Sequence, residues 1–190
     1  MGLFSKLKSK NSKPMDNDSV YKEIFSMISD NDEKAMAEIT ECLEKPRLYA
    51  RDNYDVFDTK GLVPTTVSDF KVKWLGCIQI MIKYGYAREF GAKIDFDDFY
   101  KQFGELKIVS ERGIIPPEDE IYLDYEINSW ISCIEHFWGK SGMCVGEFDI
   151  NSILPDDYKG RSRTVFVCTV EQLEKLSRLA ADAGRKIDRA

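Results

Sequence analysis

The chain has little of what would mark a secreted, fibrous or membrane-spanning protein. Its five cysteines (Cys42, Cys77, Cys133, Cys144 and Cys168) are odd in number and singly spread, with no CxxC pair. Neither a disulfide framework nor a paired-thiol zinc site is indicated by that spacing. The thiols sit in apolar runs such as Trp74-Leu75-Gly76-Cys77-Ile78, where cysteine behaves as a small hydrophobe. Reduced thiols in a cytoplasm are therefore expected. Six prolines and twelve glycines in 190 residues exclude a collagen-like or linker-dominated chain. No apolar run approaches the roughly 18 residues of a bilayer-spanning helix. Glycine-rich phosphate loops of the Gly-x-Gly-x-x-Gly or Walker type are missing, so nucleotide binding has no support.

Residues 1–14 lack the apolar stretch of a signal peptide. Lys6 stands where a myristoylation signal needs Ser or Thr. Leu3, Phe4 and Leu7 among four lysines bury too little apolar area for stable membrane association. This segment reads as a basic flexible tail ended by Pro14, and residues 15–190 as a single α+β domain.

What is present is a core-forming composition, 43 % hydrophobic and 12 % aromatic, with 27 basic against 33 acidic residues. A net charge of −6 argues against a phosphate-backbone binder, which needs a basic surface to release counterions. Residues 15–142 carry mostly helical periodicity. One stripe holds Val20, Ile24, Met27 and Ile28; Asp30-Asn31-Asp32 then breaks and recaps, and the next stripe holds Ala35, Ile39, Cys42 and Leu43 up to Pro46. Residues 48–64 are irregular and read as a long connection with a short strand. Ser68 or Asp69 opens the strongest helix, with Trp74, Cys77, Ile78 and Met81 on its apolar face, and Gly85 stops it. Arg88-Glu89-Phe90-Gly91 reads as a charged turn, although a sheet-closing strand near residue 50 or 87 stays open. Asp95 caps a helix bearing Phe96, Phe99 and Phe103, spacing that suits a core. A further helix runs from Leu123 to Trp138.

From Met143 the pattern becomes β-β-α-β. Cys144 to Ile150 alternates like a half-buried strand, with Glu147 and Asp149 on its outer face. Thr164 to Cys168 is apolar on both faces and suits a central strand. Val170 to Ala183 is a helix with Gly184 beyond it, and Arg185 to Ala190 an edge strand. The expected architecture is a helical N-terminal two-thirds packed on a small, mainly antiparallel sheet.

Chemistry-bearing patterns are sparse. Cys133 and His136 share a helix face but lack the partners of a zinc site. No thiol has a basic neighbourhood that would activate it. Glu147 and Asp149 are the carboxylate pair that an acid–base or divalent-cation enzyme would use, one alternative reading beside a structural or accessory module; solvated faces and helix caps are the simpler account of such carboxylates. No cofactor is implied. Charge distribution says more. Residues 1–13 and 159–190 are each +4, leaving −14 between them, and residues 95–126 hold ten acids and three bases. Acidic side chains interleaved with Phe96, Phe99, Tyr100, Tyr122 and Tyr125 suit a surface that docks a basic protein, against the plainer account in which the aromatics face the core and the acids solvate the outside. Asp97, Asp98, Glu118, Asp119 and Glu120 are the candidate contacts, with Tyr122 as an anchor.

Two stretches carry a likeness to known proteins. One runs from Trp74 through Ile82-Lys83-Tyr84-Gly85-Tyr86-Ala87-Arg88-Glu89-Phe90 to Asp95–Phe99. The other joins Glu147-Phe148-Asp149-Ile150-Asn151, Thr164–Cys168 and Glu174 to Ala190. Over about residues 68–190 the chain resembles a family of small bacterial proteins catalogued only as a domain of unknown function. Small acidic proteins of that sort are often immunity partners of toxins. The resemblance thus implies a cytoplasmic bacterial immunity protein that neutralises a basic toxin, a nuclease being one case, by blocking its active cleft.

Overall fold

The computed structural model describes residues 17–121 and 126–190. The expected basic tail and Tyr122 lie outside the described residues. Helix α1 (Asn17–Ile28) ends in two successive left-handed residues, Asp30 and Asn31, with φ of 50° and 59°. Asp32 then caps α2 (Glu33–Glu44), its carboxylate accepting from the Lys34 and Ala35 amides at 3.0 and 3.1 Å. Pro46 occupies the first turn of α3 (Pro46–Asp52), where its missing N–H removes no helical bond. The short helix α4 (Tyr54–Asp58) follows. Residues 48–64 are thus helical where a strand was expected. The segments are too short to show a 3.6-residue period, and an edge-on contact of Tyr49 and Phe57, 6.4 Å between centroids, holds them.

Helix α5 (Asp69–Lys83) is buried along most of its length and runs through the helical layer. After Gly85, Ala87–Gly91 forms strand β1 where a charged turn is expected, so of the two places left open for a sheet-closing strand it is the one near residue 87. Its charges disguised it, because Arg88 and Glu89 find partners on opposite faces of the sheet. Helix α6 (Phe96–Gly104) is capped by Asp95, which accepts from the Asp98 amide at 2.9 Å. A further helix, α7 (Lys107–Arg112), ends at left-handed Gly113, and α8 spans Ile127–Trp138. Strands β2 (Met143–Phe148) and β3 (Ser162–Thr169) precede α9 (Val170–Asp182) and β4 (Ile187–Arg189). Thr169 and Gln172 close a reciprocal capping box on α9.

The sheet order is β1-β3-β2-β4, antiparallel at every pairing. Helices cover both of its faces. Cys144, Phe148, Phe166 and Cys168 meet α1, α2, α5 and α9 in one core, where Phe148 lies 4.7 Å from Phe166 and 5.9 Å from Trp74 between centroids. Val145, Val165, Val167 and Phe90 meet α6, α7 and α8 in a second core, where Phe99 stands 5.0 Å from Phe90 and 5.1 Å from Trp130. Strand β2 is therefore buried on both faces, not half-buried. A glycine and a glutamate interrupt its apolar run and mimic an amphipathic strand. Gly146 is small because the Phe166 ring fills its space: a Cβ there would lie 2.3 Å from Phe166 Cζ.

Candidate functional site

The acidic residues singled out by charge fall on two neighbouring elements. Asp97 and Asp98 are exposed in the first turn of α6, where negative charge suits the helix dipole. Glu118, Asp119 and Glu120 form a single exposed 3-10 turn, anchored by Ile121 at 2 % exposure. Tyr100 joins the two, its hydroxyl donating to the Pro116 carbonyl at 2.8 Å. Burial raises the Tyr100 pKa, and the charges of Glu118 and Asp119 raise it further, so those carboxylates stand close to α6. None of the five candidate carboxylates has an ion-pair partner among the described residues. The aromatics between them are turned inward: Phe96, Phe99 and Phe103 belong to the second core.

The Glu147 and Asp149 pair is divided between two structural tasks. Glu147 receives the Arg163 guanidinium, which also reaches Asn128 of α8. Asp149 lies past the strand end and accepts from the Ser152 amide at 3.2 Å. Cys133 is half-buried and His136 exposed on α8. Among the described residues, no three or more His, Cys, Asp or Glu side chains are placed to hold a metal ion.

Two polar clusters are visible only in the fold. In the first, Tyr86 donates to Asp32 at 2.8 Å, and Lys107 reaches both Asp32 and the Tyr86 hydroxyl at 3.2 and 2.5 Å. These bonds, together with the Ala35 amide, hold the Asp32 carboxyl down to about 2; the amide contributes most. The cluster ties α2, the start of β1 and α7 together.

The second cluster lines a cleft of about 500 Å³ between α4 and one end of the sheet. Glu89 of β1 accepts on Oε1 from Lys60 and from the Ser162 hydroxyl of β3. Glu89 and Thr164 are register partners, so Glu89, Ser162 and Thr164 share a sheet face with Phe166. Arg161 lies 4.7 Å above the Tyr158 ring. Residue patterning did not single out these side chains. The one signal was the cationic run Lys159-Gly160-Arg161-Ser162-Arg163 entering an apolar strand.

The structure contains no described helix long and apolar enough to cross a membrane. The model of one protein family, described as Domain of unknown function (DUF6630), matches residues 20–190. No curated protein and no solved structure matches the chain.

Proposed function

The chain belongs to the DUF6630 family, and on that premise we propose that it is a protein-binding domain engaging a basic protein through the edge built by α6 and the 118–120 turn. One observation carries this reading. Asp97, Asp98, Glu118, Asp119 and Glu120 are all exposed and meet no cation among the described residues. Nearby Glu105, by contrast, is answered by Arg88 at 2.8 Å. Unanswered carboxylates on one edge create a negative potential that steers and orients a positively charged partner. The specific form is an immunity protein that fills the active cleft of a basic toxin such as a nuclease, its carboxylates standing where substrate phosphates would bind.

Co-expression with the product of the neighbouring gene tests this. Growth rescue and co-purification are expected, and lysine at all five positions is expected to weaken the complex by about tenfold or more. The salt dependence of binding should fall with it. An affinity and salt dependence unmoved by that variant would put the interface elsewhere. Failure of both rescue and co-purification would remove the immunity reading.

A further inference from the structure

We propose that the cleft between α4 and the sheet is a ligand site for a small hydroxylated oxyanion, a molecule with a phosphate or carboxylate at one end and hydroxyls at the other. Glu89 and Arg161 form the boundary between this hollow of about 500 Å³ and an adjoining one of about 760 Å³. Such volumes accommodate small molecules.

Arg161 supplies the anion-binding end. Its guanidinium makes no hydrogen bond or ion pair with a described residue, and it lies over the Tyr158 ring at 4.7 Å from the centroid. The Tyr158 ring is itself seated against the backbone of Gly61, where φ is 67° and a Cβ would come within 2.3 Å of the ring. An unspent guanidinium fork matches the two oxygens of a carboxylate or phosphate. Lys93 adds a second cation to the adjoining hollow.

Glu89 supplies the hydroxyl-binding end. Both of its donors, Lys60 and Ser162, sit on Oε1, and Oε2 has no donor among the described residues. Lys60 offsets its charge, so an oxyanion at Arg161 is not driven off. Asp55 lines the same hollow with its carboxylate unanswered among the described residues. These acceptors call for ligand hydroxyls.

The placement of the Lys60–Glu89 pair supports a site over a scaffold. Their side chains are only 12 % and 25 % exposed, on a sheet face that also carries Phe148 and Phe166. Two apolar side chains would join α4 to the sheet there without the cost of desolvating charges. Thr164, across the strands from Glu89, is fully buried, and its hydroxyl has no hydrogen-bond partner among the described residues. Thr164 does not line the hollow itself; the polar groups that do, Lys60, Glu89 and Ser162, are the ones a ligand would meet.

Titration calorimetry on the intact chain with glycerol 3-phosphate, glycerate, inorganic phosphate and glycerol tests the proposal, with amide shift mapping as a second readout. Glycerol 3-phosphate or glycerate should bind at up to millimolar concentration, more tightly than phosphate, and glycerol should not bind. Whichever binds identifies the anion as phosphate or carboxylate. Amide shifts should centre on Lys60, Glu89, Arg161 and Ser162. Arg161→Gln, a change at an exposed side chain, should cut affinity by about tenfold or more. Neither heat nor shifts with either hydroxylated oxyanion would overturn the proposal, as would undiminished binding in the Arg161→Gln variant. Either result leaves the acidic-edge reading standing, because that edge lies on other elements.

Discussion

Gly146 shows how much a single position can decide. No left-handed backbone angle requires glycine there; the requirement is space, because the Phe166 ring occupies the volume a side chain would take. Gly146 and Phe166 are register partners at the middle of the β2–β3 pairing, and the Phe166 ring packs tilted against Phe148. Gly146→Ala should therefore force the ring from its place and destabilise the fold by about 1–3 kcal/mol, the usual cost of overpacking a well-filled core. Urea unfolding would read this as a lowered midpoint at unchanged slope. Gain of stability, as expected for alanine in an unobstructed strand, would refute the steric account. The same scale explains the miss on β2. A glycine hidden by a ring and a glutamate held by Arg163 look, as letters, like the polar half of an amphipathic strand.

At the scale of elements, caps and stops were legible because they act within a few residues. Asp32, Asp95, Gly85 and Gly184 all stand at helix or turn boundaries where their local chemistry places them. Asp32 also joins elements that the sequence keeps far apart, through Tyr86 and Lys107. Its carboxyl is held at about 2, below the ordinary carboxylate range, so the folded state favours the ionised form. The stabilisation is then complete above the unfolded carboxyl's pKa of about 4 and is lost as pH falls toward about 2. Asp32→Asn keeps a capping oxygen but not the charge. It should lower the urea midpoint at neutral pH, with the difference from the parent closing across that acid window. A difference that stays constant down to pH about 2 would contradict the linkage.

At the scale of the whole molecule, one sheet is common to two aromatic cores. Trp74 marks the first core, and Trp130 and Trp138 mark the second. Adjacent β3 residues such as Val165 and Phe166 point into opposite cores, so neither core can open without disturbing the strand they share. Trp74→Phe leaves reporters in the second core alone, and the double variant Trp130→Phe/Trp138→Phe leaves one in the first. In each variant the fluorescence and far-ultraviolet circular dichroism transitions in urea should coincide, the mark of one cooperative unit. Separated midpoints within one variant would mean that the two cores melt independently.

The amino-acid sequence by itself determined the α+β class, most helix boundaries, the central place of β3 and the segregation of negative charge onto residues 95–126. Each of these rests on periodicity, capping or a count, and so on neighbours in the chain. The tertiary structure alone decided that Ala87–Gly91 is a strand, that both sheet faces are covered, and that Lys60, Glu89 and Ser162 converge. Lys60 and Ser162 lie 29 and 73 residues from Glu89 along the chain. Such contacts leave no periodic trace, because they are selected by how distant elements pack and by which charges that packing removes from water.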